Sequence, residues 1–143
     1  MKTTLLVWLF LAACAFAQQE MIYMQEGHLR DSSGRLLQNS TTNGNRTTYR
    51  DASGRLAATA TKDGNRTTYR DASGRLIGTA TTDSNGRTTY RDASGKLVAT
   101  SSSNGSQTTY RDSTGKMIGT SRKDGNRTTF RDASGRLKGT QTK

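Results

Sequence analysis

One cysteine and one histidine stand in 143 residues, and each is placed where it can do little. Cys14 has no second cysteine to pair with, so no disulfide staples the fold. His28 has no nucleophile or metal partner in view and reads as a solvated side chain, not a ligand or general base. Paired carboxylates for acid–base work, a phosphate loop and metal-ligand clusters are missing too. The sequence therefore argues against an enzyme and offers no catalytic, cofactor-binding or metal residue. Hydrophobic residues make up only 30% of the chain, too few for a thick globular core. No apolar run is long enough to span a bilayer as a helix. Such a composition would permit disorder, but periodicity argues otherwise.

What is present begins with an export pattern. Lys2 supplies a positive end, Leu5 to Ala13 form a short apolar run, and Ala15-Phe16-Ala17 is a small-x-small cleavage site. Residues 1–17 are read as a signal peptide, 18–27 as a lead-in and 28–143 as a repeat array. Leu11-Ala12-Ala13-Cys14 also resembles a bacterial lipobox, which would make a lipid-modified Cys14 the first mature residue. The net charge is +11, and it stays strongly positive without the leader.

The phrase GNRTTYRDASGRL occupies residues 44–56, recurs unchanged at 64–76, and returns at 125–137 with Phe130 in place of Tyr. Its turn glycines fall at Gly34, Gly54, Gly74, Gly95, Gly115 and Gly135, so six copies follow one another at steps of about 20 residues. One inserted residue lies near Asp83-Ser84. The first copy is degenerate, with Leu29 where the others carry Tyr or Phe, as a capping repeat would be.

Each unit holds two strand-like runs and two turns. In residues 45–64 the runs are NRTTYRD and RLAATATK, rich in Thr and aromatic character. Between them, Asp51 and Gly54 suit a type I turn followed by a left-handed glycine that makes a bulge. The second turn carries Asn-Gly or Asp-Gly in every copy, a hairpin signal because its central residues need positive φ. Helix is excluded after residue 29. In this register Asp51 faces Arg55, the acid–base pairing recurs in all six copies, and Tyr49 faces position 57. A cross-strand ion pair is worth only about 0.2–1 kcal/mol, so its role would be to fix register.

Adjacent apolar residues such as Leu76-Ile77 and Leu97-Val98 point to opposite faces of a strand. Either the sheet coils until one face becomes an interior, or it pairs with another chain. Two all-β architectures fit: an antiparallel hairpin meander of six strand-turn-strand repeats, or a β-solenoid. A solenoid would stack Arg50, Arg70, Arg91, Arg111 and Arg131 at one strand spacing of ~4.8 Å, whereas a meander separates them by ~10 Å, near one Debye length. The weaker repulsion favours the meander.

TYRDASGRL with the downstream DGN resembles the YD repeats of Rhs-type proteins, roughly Tyr-x-Tyr-Asp-x-x-Gly-Arg-Leu and then a turn. Asp51, Gly54, Arg55 and Leu56 and their counterparts carry the match over nearly all of residues 28–143. This chain has Arg where that pattern has its second Tyr, and its own Tyr stands one residue earlier. Six copies are also too few to enclose a cargo as long YD shells do. The two-turn plan is similar to curli-type amyloid repeats, without their internal Gln and Asn ladders.

These readings converge on an exported, non-enzymatic repeat protein acting as a surface or extracellular structural and binding element. Its expected contacts are acidic polysaccharides or envelope components, met by the unpaired row Arg50, Arg70, Arg91, Arg111 and Arg131. Two alternatives stand beside it: a self-associating fibre subunit, and a small periplasmic lipoprotein that binds or inhibits another protein. Interleaved Tyr and Arg would suit single-stranded nucleic acid, but the export signal argues against that partner. No transmembrane helix is expected in the mature chain.

Overall fold

A computed structural model describes residues 27–143 of the chain. The expected signal segment, Cys14 and all of the lead-in except Gly27 lie outside the described residues. The architecture is all-β, and twelve strands run in sequence order. They are β1 (His28–Asp31), β2 (Leu36–Asn43), β3 (Arg46–Asp51), β4 (Leu56–Asp63), β5 (Arg66–Asp71) and β6 (Leu76–Thr82). The second half is β7 (Arg87–Asp92), β8 (Leu97–Asn104), β9 (Gln107–Asp112), β10 (Met117–Asp124), β11 (Arg127–Asp132) and β12 (Leu137–Thr142). Every strand pairs antiparallel with its sequence neighbours, and β1 also pairs with β12, closing the meander into a barrel.

Two turns do the folding. At the Asp-Gly end of the phrase, Asp51 N donates to Arg55 O at 2.9 Å and Gly54 N to Asp51 O at 3.0 Å. Gly54 sits at φ 84, left-handed space that a Cβ makes costly. A carboxylate completes the turn: Asp51 Oδ1 accepts from Ser53 N at 2.9 Å, Ser53 Oγ at 2.6 Å and Arg55 N at 3.0 Å. At the other end, strand pairing runs Asn43↔Arg46 and Asp63↔Arg66. The two-residue loops are therefore Gly44-Asn45 and Gly64-Asn65, one residue later than the Asn-Gly reading places them. Gly44 takes the first central position at φ 61, as the primed hairpin turns require.

The inserted residue converts one turn into the other. Asp83 N donates to Arg87 O, Gly86 N to Asp83 O, and Asn85 N and Arg87 N both donate to Asp83 Oδ1. That is the set of backbone donors that Asp51 has, without the serine hydroxyl, rebuilt at the opposite end of the barrel by a three-residue loop. The insertion is absorbed in the turn, and both flanking strands keep their alternation.

Between Tyr49 and Arg50 the pairing steps from Ala58 to Leu56, a bulge of the kind a left-handed glycine sets up. Tyr49 thus faces Ala58, not position 57 as a plain three-residue loop implies. The same step recurs in every hairpin of this type. Alternation then sends Tyr49, Tyr69, Tyr90, Tyr110 and Phe130 inward, where all are buried, the four tyrosines in one cluster with Ala58, Ala60, Ala80 and Ala99. Large rings against alanines fill the lumen, and each buried ring contributes on the order of 2 kcal/mol. Ile77, Val98 and Ile118 pack against this cluster, half-buried.

The degenerate first copy is not a cap. Leu29 pairs with Gln38 on one side and Gln141 on the other, so β1 is the seam strand. At the seam the backbones approach closely: a Cβ on Gly139 would lie 2.3 Å from Arg30 O. On β3 the outer positions are polar: Arg46, Thr48 and Arg50 point away from the lumen, with Arg46 and Arg50 exposed.

Candidate functional site

The outward arginines of the Tyr-Arg-Asp strands form one row. Arg50, Arg70, Arg91, Arg111 and Arg131 are all exposed, and each reaches back over its own turn. Arg50 Nη1 donates to Gly54 O at 3.0 Å, and the same bond joins Arg70 to Gly74, Arg91 to Gly95, Arg111 to Gly115 and Arg131 to Gly135. Arg30 makes it to Gly34, which adds a sixth member from the first copy. One guanidinium nitrogen is spent on the turn, and the remaining donors face solvent. Because the sheet closes, these residues ring the barrel instead of lining one flat face.

A second row escaped the sequence reading. Arg46, Arg66, Arg87 and Arg127 are exposed four residues before their Arg50-type partners, hence on the same outer face and ~13 Å away along the strand. In β9 the position is Gln107, and its cross-strand neighbour is Arg122, where other copies carry Thr or Ser. The charge missing from one strand thus sits on the next. The signal was available: Arg-Thr-Thr-Tyr-Arg fixes two arginines on one face at even spacing.

The acids behave differently from the expected ion pairs. Asp51 accepts the backbone N–H of Arg55, while Arg55 Nε donates to Ser53 Oγ at 3.2 Å. The Ser53 hydroxyl is the first cause holding the Asp51 carboxyl below its ordinary range; backbone N–H groups of Arg55 and Ser53 add to it, and the Arg55 charge contributes least. Asp31, Asp71, Asp92 and Asp132 are lowered in the same way, first by Ser33, Ser73, Ser94 and Ser134, and Asp112 by Thr114. The acid fixes register by capping the turn, and charge pairing is the smallest part of it. Gly34, Gly54, Gly74, Gly95, Gly115 and Gly135 close these turns at φ between 84 and 88.

Inside, burial raises the Tyr90 phenol to about 12, against a hydrogen-bonding pull from Ser101. Tyr69 is raised further by burial and by its neighbours Tyr49 and Tyr90. Tyr110 and Ser121 share a hydroxyl hydrogen bond of 3.0 Å. His28 is exposed on the seam strand, opposite Thr142 and Asn39. Among the described residues no group of His, Cys, Asp or Glu could hold a metal ion, and no helix is long and apolar enough to cross a membrane.

A family model described as RHS Repeat matches residues 50–88, from Arg50 through the second and third copies to Thr88. The YD-type resemblance is thus matched over part of the array. No curated protein matches the chain. Among solved structures the chain is similar to "ASR Alternansucrase in complex with isomaltotriose", with 21% identity over 81% of this chain and a TM-score of 0.23. The chain spans 11% of that protein's length, and a TM-score so low carries no structural argument.

Proposed function

We propose that this protein is an exported, non-enzymatic repeat barrel that binds acidic polymers of the cell surface or its surroundings through its outer arginines. RHS repeats are generally structural units, typically extracellular or at the cell surface, which supports both the non-enzymatic and the exported parts of the reading. The observation that carries it is the double row on the outer face, Arg46 with Arg50 on β3 and the same pair on β5, β7 and β11. Each guanidinium presents several donors in a fixed fork suited to carboxylate, sulfate or phosphate. Contact with a polyanion releases its counterions, so affinity falls steeply with salt.

Closure refines the geometry. A rod-like polymer crossing the barrel wall meets the arginines of neighbouring copies, not those on the far side. A polymer that wraps can meet more. The fibre alternative loses support, because β1 and β12 pair with each other and no strand edge stays open among the described residues. The test is a heparin column loaded with the parent and with a variant carrying Arg46→Gln, Arg66→Gln, Arg87→Gln and Arg127→Gln. The variant should elute at clearly lower salt. Elution at the same salt would remove the Arg46 row from any role in binding.

A further inference from the structure

Cross-strand register ties the two kinds of outer arginine together. Arg46 on β3 stands opposite Thr61 on β4, and Thr61 opposite Thr68 on β5. Thr68 then stands opposite Thr79 on β6, and Thr79 opposite Arg91 on β7. Opposed residues in a ladder share a face, so these five form one track across the outer wall, three hydroxyls between two arginines. The same track runs from Arg66 to Arg111 and, with Ser102 as its first hydroxyl, from Arg87 to Arg131. Its two arginines come from copies two apart, so only the paired sheet assembles it. Elsewhere the floor is interrupted: Arg122 enters the track that ends at Arg30, and His28 and Asn39 enter the one that ends at Arg50.

Four strand spacings set the end arginines ~19 Å apart along the wall. The hydroxyls between them are not used by the fold. Thr79 and Thr100, the third hydroxyls of two tracks, keep only 9% of their surface. Among the described residues neither hydroxyl has a hydrogen-bond partner, and neither oxygen is sealed from solvent. A hydroxyl packed so closely and left without a bond is an acceptor and donor for whatever lies on the track.

We propose that each unbroken track seats an acidic glycan lying across the strands, its acidic groups on the end arginines and its hydroxyls on the threonines. This rests on the polyanion reading above and narrows it, because a hydroxyl floor favours sugar polymers over polyanions that carry no hydroxyls. A pyranose ring in an extended chain advances by about one strand spacing, so successive rings fall over successive threonines. Each Thr offers a hydroxyl to the ring's hydroxyls and a methyl to its C–H face. The arginines supply attraction to any polyanion, and the threonines make the choice among them.

Calorimetric titration of the chain at low salt tests it, with a heparin hexasaccharide and a linear polyphosphate of matching charge as probes. A variant carrying Thr68→Val, Thr79→Val, Thr89→Val, Thr100→Val, Thr109→Val and Thr120→Val loses floor hydroxyls and keeps β-branched shapes that suit strands. It should bind the hexasaccharide roughly fivefold more weakly than the parent or worse, and polyphosphate within about twofold of it. In the parent, the methyl resonances of Thr61, Thr68 and Thr79 should shift with the hexasaccharide and not with polyphosphate. That readout stands even where the variant melts early. Parental affinity of the variant for the hexasaccharide, an equal loss for polyphosphate, or silent threonine methyls overturns the glycan seat and leaves the outer arginines open to any polyanion. A parent that binds neither probe overturns the polyanion reading, and the seat with it.

Discussion

Arg50 Nη1 donates to the Gly54 carbonyl at 3.0 Å, so a residue that looks available for a ligand already braces the turn beside it. The two outer rows therefore separate experimentally. Replacing Arg50, Arg70, Arg91, Arg111 and Arg131 by Gln should lower both heparin affinity and the melting temperature, by roughly 0.5 kcal/mol per lost turn bond at these exposed sites. Replacing Arg46, Arg66, Arg87 and Arg127 should lower heparin affinity alone. Thermal melts of the two variants check this; equal melting temperatures would mean that the bond to the turn carbonyl contributes nothing.

Gly74 stands at φ 86, and a Cβ built there meets nothing within 4 Å. Any cost of substitution is thus conformational and not steric crowding. Gly74→Val should destabilise by roughly 1–2 kcal/mol or more, Gly74→Asn by much less, and Ala72→Ser hardly at all. Chemical denaturation of the three variants gives the order. A valine variant as stable as the asparagine one contradicts a left-handed requirement.

Acid sensitivity follows from the turn carboxylates. Asp51 and its five counterparts have folded pKa values below the ordinary 3.8. A depressed folded pKa gives stability that is fully present above the unfolded value and is lost as pH falls through the folded one. The melting temperature should therefore hold steady from neutral pH down to about 5 and decline below about 4. Ser53→Ala with Ser73→Ala removes the leading cause in two turns, and should make the decline shallower. A melting temperature that is flat to pH 2 would show that the carboxylates do not support the fold.

The seam shares a weak point with the β10–β11 pair, where a Cβ on Gly119 would lie 2.5 Å from Arg131 O. Gly139 approaches Arg30 O so closely that a Cβ would lie 2.3 Å away, whereas Ala58 and Ala99 fill the equivalent place in other hairpins. Gly139→Ala should push β1 from β12 and speed amide exchange at Leu29 to Asp31 before it affects β5 or β7. Hydrogen exchange read residue by residue decides it, and unchanged protection along β1 would show that the seam has slack.

Much of this fold can be read from one phrase. Asp51, Ser53 and Gly54 specify a turn type by themselves, and Arg-Thr-Thr-Tyr-Arg specifies a strand with one aromatic face. Those are local relationships, settled within a few residues. Where reading goes astray, the missing quantity is a single-residue offset. The bulge after Tyr49 moves its partner from position 57 to Ala58, and the two-residue loop starts at Gly44 instead of Asn43. Both offsets are set by backbone twist, which sequence pattern does not encode directly. Closure is less legible still. Nothing in Leu29 or Gln141 announces that they will be neighbours, because closing depends on the twist and coil summed over twelve strands. The outer arginines were half visible: the row at Arg50 stood out for lacking an assigned acid, and the row at Arg46 was hidden beside the turn. The cavity lined by Lys62, Lys123 and Lys143 was not visible, since these residues meet around it only once the sheet has curled.

Closure of β1 on β12 also sets a kinetic order. Eleven of the twelve strand pairings join segments adjacent in the chain, and such hairpins form quickly from local contacts. The twelfth joins the two ends of the array and must wait for all the rest, so it closes the largest loop last. Until then the nascent sheet exposes its tyrosine face and two raw edges, which is the interval when copies of this chain are most at risk of joining each other. The same arithmetic gives the array an adjustable gauge. Adding or deleting one twenty-residue copy leaves every turn and every neighbouring pair as before, and changes only the girth of the ring, which grows roughly in proportion to strand number. Gene duplication acting on such a chain would resize its lumen without inventing a single new contact type.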